Sequence, residues 1–399
     1  MSSSFSLSDS NVQNLFKVKY KDINRNMYNG KNAVLGRVRK TYDFTGITQN
    51  RSISLGFQGG AGFGSLPYAN RGNYQQPVIS TKKTYTVCEI DRRTAKQSKN
   101  DGAFVDGMKE SVKKTVEKFN WLMSFGLFHS SSGAMGTIDT AGVTDNGGGS
   151  YTVVISAATF RKANWEVRDF VNVASGNTDL FEITVVAPST RAITIVRISG
   201  SKVPVAADVV YLQGSQSNAI TSLPQVIDAT SSTLYGVTVG YRWQSYQKAA
   251  SSAGLNVDMM NEVMLETESQ SGETPNLIVV PYVQMRKLLN QLEDQKRYFT
   301  EGKVASRYGD FSFNAIQFMS VAGPVPIVVE RFVEDSRVYF LNDNYIELAH
   351  ASDTPGWIDD DGTVFLRKAN DDAYEARYGG YLENYTQPTP HGTITGLAT

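Results

Sequence analysis

Residues 100–128, NDGAFVDGMKESVKKTVEKFNWLMSFGLF, constrain this chain more than any other stretch. Phe104, Met108, Val112, Val116, Phe119, Met123 and Leu127 recur at steps of three or four, the spacing of one helical face. Asn100 or Asp101 can cap the first free N–H groups, and Glu110 stands four residues before Lys114 in the favourable order for an ion pair. The spacing therefore predicts one helix, about 40 Å long at 1.5 Å per residue. Its first half carries Lys109, Lys113, Glu117 and Lys118 opposite the apolar stripe. Beyond Asn120, Trp121, Leu122, Phe125 and Phe128 make it apolar nearly all round, so the second half is expected to be buried. Gly107 and Gly126 are places for a bend or for close approach of another segment.

The 399 residues can form two or three domains with a core that needs no staples. Lys+Arg and Asp+Glu are 39 each, so no net field draws the chain to nucleic acid or to an acidic membrane. Cys88 is the only cysteine, which excludes an intrachain disulfide and fits a reducing cytoplasm. No basic start followed by an apolar run opens the sequence, and nowhere do eighteen apolar residues follow one another, so neither a signal peptide nor a membrane helix is expected.

After a serine-rich start, residues 11–28 mix Leu15, Phe16, Val18, Tyr20, Ile23, Met27 and Tyr28 with Lys17, Lys19, Lys21 and Arg25. They read as an arm that packs on its own domain or on another subunit. Residues 51–57 and 78–90 read as the two strands of a long β-hairpin joined by the glycine-rich run GGAGFGSLPYANRGNYQQP. A two-stranded ribbon is marginal alone in water and needs a partner surface. Gly59, Gly60, Gly62 and Gly64 invite a phosphate-loop reading, but prolines and a second strand follow where that loop needs a helix, and no G-x-x-x-x-G-K-[ST] exists.

Residues 130–150 have the composition of a Gly/Ser/Thr linker. The β-prone runs 151–156, 167–173, 180–187, 192–199 and 209–212 follow, separated by turn residues, and read as a small antiparallel sheet or barrel inserted into the chain. Residues 244–266 are helix-prone, 276–281 read as a buried strand, and 283–292 as an amphipathic helix with Val283, Leu288, Leu289 and Leu292 facing in. Further strands are expected at 325–330, 337–341 and 345–348, giving one α+β domain, and at 364–366 and 374–385 with aromatic faces.

Residues that carry catalysis are sparse. His129, His350 and His391 are far apart in sequence, so no His/Cys zinc spacing can be written, and there is no G-x-S-x-G elbow. Asp359-Asp360-Asp361-Gly362 has neither the glycine nor the distal Glu of a calcium loop and reads as a solvated acidic turn. Asp371 and Asp372 have no inferable cleft around them. No cofactor or metal is expected.

An arm, a glycine-rich hairpin, one long helix, a β insertion, an α+β domain and a return of aromatic strands follow in an order that resembles the major capsid proteins of tailed bacteriophages, the Hong Kong 97 fold. Residues 101–128 are similar to that family's spine helix and 65–89 to its extended loop. Residues 274–292, TPNLIVVPYVQMRKLLNQL, are similar to the strand and helix of its axial domain, and 325–341 to its later strands. The resemblance implies an α+β chain divided into an N-terminal arm (1–40), extended loop (41–95), spine helix of the peripheral domain (96–135), β-rich insertion (136–225), axial domain (226–349) and C-terminal strands of the peripheral domain (350–399). It also implies a non-enzymatic virion subunit, assembled in the host cytoplasm. Hexamers and pentamers would form a closed shell around double-stranded DNA without sequence specificity, with a portal protein, and scaffold and decoration proteins, as further partners and no membrane.

The arm opens only some forty residues before the hairpin, so a separate scaffold protein, or none, is expected. Tyr68, Asn70 and Arg71 at the hairpin tip are the candidates for contact with a neighbouring subunit. Some members of the family join subunits by a Lys–Asn isopeptide bond. Lys82 or Lys83 with Asn370, helped by Glu375, are the positions that could be offered, although lysines on a ribbon are ordinarily just solvated. Two other readings stay open on the residues alone: an encapsulin-like compartment, and an enzyme acting on polysaccharide through two carboxylates.

Overall fold

The computed structural model describes residues 33–56, 72–91, 101–130, 132–174, 178–230, 233–294, 299–306, 309–320, 323–351, 355–359, 362–368 and 371–399. The expected arm at 11–28, the glycine run at 59–64, the hairpin-tip residues Tyr68, Asn70 and Arg71, and Asn370 lie outside these residues.

The long helix is a single element of 28 residues, Asp101–Phe128. Its second half is enclosed as its composition predicts: Phe119, Trp121, Met123, Phe125, Leu127 and Phe128 are all buried. Gly126 is a point of close approach, because a Cβ there would lie 2.9 Å from the Ile220 side chain. The helix crosses a six-stranded sheet whose spine is the 14-residue strand Ala373–Thr386. Phe119 meets Tyr378 edge to face at 5.0 Å, and the Thr86 hydroxyl lies within hydrogen-bond reach of the Thr115 and Tyr378 carbonyls, at 3.4 and 3.2 Å.

One sequence expectation is corrected here. Residues 78–90 do not form one hairpin strand. Val78–Ser80 pairs across the ribbon with Thr48–Asn50, and Ile53–Gly56 pairs with Asn73–Gln75. Lys82–Asp91 instead pairs antiparallel with the C-terminal strand over ten residues, from Lys82 opposite Leu382 to Asp91 opposite Ala373. The ribbon is therefore shorter than expected, and its second strand runs on into the sheet. Gly379 permits the seam, since a Cβ at that position would lie 2.1 Å from the Thr84 carbonyl oxygen.

Six strands between residues 134 and 212 close into an antiparallel barrel, in the order Leu180–Ala187, Ala192–Ser199, Ser150–Ile155, Ala134–Gly147, Val209–Leu212 and Phe170–Val173. Closure removes free sheet edges. It also requires the first strand, Ala134–Gly147, which the sequence reading took for linker because Gly136, Thr137, Asp139 and Gly142 give it a loop composition. Phe181, Ile183, Ile193, Ile195 and Val153 fill the barrel and belong to one continuous core with the buried half of the long helix. The loop between barrel strands is fastened to that helix: Trp121 Nε1 donates to the Ala163 carbonyl (2.9 Å), Arg161 donates to the Phe128 carbonyl (2.7 Å), and Lys118 pairs with Glu166 and Asp169 (2.8 Å each).

A seven-stranded mixed sheet forms the remaining body, with the fully buried Leu277–Val280 at its centre, parallel to Gly323–Val329 and antiparallel to Val338–Leu341. The helices Val257–Ser271 and Tyr282–Asp294 flank this strand in sequence. Asn256 caps the first by accepting from Met259 N (2.8 Å), and Gly272, at φ 78°, ends it. The expected helix over 244–266 therefore starts thirteen residues late. Tyr246–Ala249 is an edge strand parallel to Gly392–Thr395, and Ser251 and Ser252, at φ 50° and 67°, turn the chain before the cap. Leu289, expected to face in, is exposed, while Leu288 is buried.

Candidate assembly surfaces

Several contacts among the described residues fasten the ribbon to the molecule. Arg51 N donates across the ribbon to the Pro77 carbonyl (2.8 Å), while the Arg51 guanidinium pairs with Glu347 of the six-stranded sheet and lies 5.9 Å from the Tyr385 ring centre. Glu347 also accepts from the Thr41 hydroxyl at 2.7 Å. Val78 N donates to the Tyr235 carbonyl (2.9 Å), and Ile53 and Leu55 rest on a small cluster of Phe44, Ile79, Trp243 and Tyr385. The ribbon also presents Ile47, Tyr74 and Val78 to solvent, Ile47 at 82% exposure. A ribbon that shows apolar side chains on its free face is suited to a surface its own chain does not supply.

A second surface lies on the sheet face turned away from the long helix. Thr86 and Cys88 are buried, whereas Lys83, Val87 and Glu89 alternate with them and are exposed. Tyr381 packs edge to face with Tyr85 at 6.2 Å, and Lys83 Nζ stands 6.0 Å from the Tyr381 ring centre. Sequence reasoning missed this face. The signal was there, since a strand that alternates Thr86 and Cys88 with Val87 and Glu89 has two faces, one of which needs explaining.

Of the proposed crosslink residues Asn370 lies outside the described residues, and Lys82 and Lys83 are not beside Glu375 within the chain. Lys82 Nζ donates to the Ser217 carbonyl (3.2 Å), Glu375 sits opposite Glu89 and accepts from Arg377 (2.6 Å), and Lys83 sits opposite Tyr381. Lys83 and Glu375 are thus six positions apart along the seam, about 20 Å at strand spacing.

Residues that could carry catalysis are tied into the structure. His129 bonds through Nε2 to the Ile220 carbonyl (2.8 Å) and accepts Gly133 N on Nδ1 (3.1 Å), His391 accepts Asn342 N, and His350 stacks on Tyr42 at 5.2 Å. Burial holds all three below the ordinary histidine range, His129 at about 4 and the others at about 3. Asp371 pairs with Lys368 at the surface. Cys88 is buried, which pushes its thiol up. No group of His, Cys, Asp and Glu that could hold a metal ion exists among the described residues, and no helix among them is long and apolar enough to cross a membrane.

Of the buried carboxylates Glu330, Asp343, Glu347 and Glu383, Asp343 and Glu347 are paired with Arg37 and Arg51. Glu383 accepts Thr221 N (2.6 Å) and Asn384 N (2.9 Å), and Glu330 accepts Arg331 N (2.9 Å). Burial outweighs these bonds and raises both to about 7. Glu383 fastens the exit of the barrel to the C-terminal strand.

Residues 201–358 match the family described as the SU10 major capsid protein. Among solved structures, a chain of the cyanophage A-1(L) capsid asymmetric unit is similar over 93% of this chain and 94% of its own, at 11% identity and a TM-score of 0.53. The satellite phage P4 procapsid aligns over 99% and 94% at 9% identity and a TM-score of 0.41. The holo-SrpI encapsulin complex of Synechococcus elongatus PCC 7942 aligns over 90% and 85% at 8% identity and a TM-score of 0.43. No curated protein matches the sequence.

Proposed function

We infer that this chain, which has the fold of Hong Kong 97-type phage capsid proteins and matches a major capsid protein family over residues 201–358, is a phage major capsid protein that builds an icosahedral head. It is a structural protein of the virion and not an enzyme. The match of residues 201–358 to that family carries the reading.

In the shell the parts take these roles. The long helix and the six-stranded sheet form the peripheral domain, with the helix as its spine. The seven-stranded sheet is the axial domain around the centre of each hexamer or pentamer. The ribbon is the extended loop, reaching over a neighbouring subunit through a tip that includes Tyr68, Asn70 and Arg71. Contacts that are repeated head to tail, rotate and close make rings, and a ribbon bearing exposed Ile47, Tyr74 and Val78 is built for such a contact. The barrel shares its core with the spine helix, which supports a role in holding that helix rather than a loose external ornament.

Portal and scaffold proteins are the further partners, and double-stranded DNA is the content. Equal numbers of acidic and basic residues suit a wall that must enclose DNA without gripping it, because phosphate neutralisation by a basic lining would bind it tightly. Light scattering on the purified chain, alone and with a scaffold protein, tests the reading: rings or shells of many subunits are expected. A monodisperse monomer under every condition would overturn it.

A further inference from the structure

Lys82–Asp91 lies at an edge of the six-stranded sheet. Among the described residues it pairs only with Ala373–Thr386, in ten consecutive pairs without a bulge, and its residues form no backbone–backbone bond outside that ladder. Its length is about 30 Å at strand spacing. Such an edge invites a second strand unless it is short, bulged, proline-bearing or guarded by charge. Here the charges are of opposite sign at the two ends, Lys82 and Lys83 at one and Glu89 and Asp91 at the other, so they do not repel a reversed copy of the strand.

The outward face of this strand is complementary to itself. Lys83, Tyr85, Val87 and Glu89 share it, and Lys83, Val87 and Glu89 are exposed, Val87 at 56%. When two copies are laid antiparallel about Thr86, Lys83 falls opposite Glu89 and Tyr85 opposite Val87, and each pair occurs twice. On the inward face Thr84 falls opposite Cys88 and Thr86 opposite itself, so no like charges meet. Opposite charges, and an aromatic against a β-branched residue, are favourable cross-strand pairs. The Glu89 end also calls for a cation. Glu89 sits directly opposite Glu375 in the existing ladder, an unfavourable pairing, and Lys368 and Arg377 each hold one of the two carboxylates, at 2.9 and 2.6 Å. Lys83, 6.0 Å from the Tyr381 ring centre, forms no ion pair among the described residues. A reversed copy would bring that lysine to the free side of Glu89.

We propose that Lys82–Asp91 pairs antiparallel with the same strand of a second copy across a two-fold axis at Thr86, joining their two sheets into one. The contact is isologous, so it closes a pair rather than a ring. It therefore joins subunits of two neighbouring capsomers. This rests on the shell reading and gives the shell its link between rings.

Crosslinking tests it. In a Cys88→Ala background, shells of the chain carrying Lys83→Cys with Glu89→Cys are treated with dibromobimane, a short thiol-to-thiol linker, and run on denaturing electrophoresis. The two positions are six residues apart within a strand, about 20 Å, so a link between them joins two copies. The double variant is expected to give at least about half its chains as dimers, and either single variant under about a tenth, because a lone cysteine then faces a charged side chain. Charge exchange reads the same contact without cysteines, by sedimentation velocity, with circular dichroism to check the fold. Lys83→Glu or Glu89→Lys alone should lower the fraction assembled as shells at least about fivefold, and the two together should restore it to within about threefold. Shells with no excess of dimer in the double variant, undiminished assembly of either half exchange, or a combination no better than its halves would overturn the inference and leave the shell reading standing. Failure of the unaltered chain to assemble under any condition would overturn the shell reading and the inference with it.

Discussion

Uncoupling Arg51 from Glu347 tests whether the ribbon is aimed from its root. Arg51 joins the two strands of the ribbon through its backbone bond to Pro77 and joins the ribbon to the sheet through its guanidinium. Its side chain is 26% exposed and that of Glu347 12%, so the pair lies between two regimes. Exposed pairs contribute about 0–1 kcal/mol, and breaking a fully buried one costs about 3–5 kcal/mol. Discounted for partial exposure, the coupling should be about 1–2 kcal/mol. Arg51→Met keeps the apolar stem against Tyr385, and Glu347→Gln keeps an acceptor for the Thr41 hydroxyl. A double-mutant cycle in urea reads the coupling, and the particle fraction of each variant reads its use. The expected result is a modest loss of stability with a much larger loss of shells, because a small change of angle at the root is magnified at the tip. A coupling within about 0.3 kcal/mol of zero, or full shell yield from both variants, would refute the reasoning.

Further outcomes follow from single groups. Gly379→Ala forces a Cβ against the Thr84 carbonyl and should cost more than about 2 kcal/mol, read as a lowered urea midpoint; an unchanged midpoint would mean the seam yields freely. Glu383 has its folded pKa raised from 4.5 to about 7, so the folded state keeps a proton that the unfolded state has released, and its contribution is complete below 4.5 and declines as pH rises through 7. Lys82, Thr221, Asn384 and Tyr235 face it, and Glu330 has the same sign, while the three lowered histidines act oppositely below 6.5. Glu383→Gln should therefore gain on the unaltered chain steadily from pH 5 to 8, and parallel melting profiles would exclude the effect. Alanine at Tyr68, Asn70 and Arg71 should lower shell yield while leaving the urea midpoint of the monomer in place; unaltered yield would remove the tip from the contact.

The long helix was legible because its stripe runs through seven apolar positions without interruption, and its burial was legible from Trp121, Phe125 and Phe128 filling the other faces. The barrel was legible in its β-rich runs but not in its first strand, where closure imposes pairing on residues whose composition is that of a loop. Tyr246–Ala249 was misread because glutamine, lysine and alanine favour helix locally, while the backbone groups of Gly392–Thr395, nearly 150 residues away, are satisfied only by a strand. The split of the expected hairpin strand at Thr81 has the same origin: Lys82–Asp91 finds its partner almost 300 residues later, and nothing local announces it. For the assembly surfaces, the ribbon was foreseen from its lack of a core. The exposed Tyr381 face was not, and Leu289 was expected to face in, since an apolar residue one step out of register looks like a core residue until its neighbours are placed.

The account stands most directly on whether the chain encloses space. Electron microscopy of the chain expressed with its own phage's scaffold protein, or alone if it has none, should show closed icosahedral shells with six-fold and five-fold capsomers. Discrete monomers or small oligomers, with neither capsomer rings nor curved sheets of them in any condition, would contradict it.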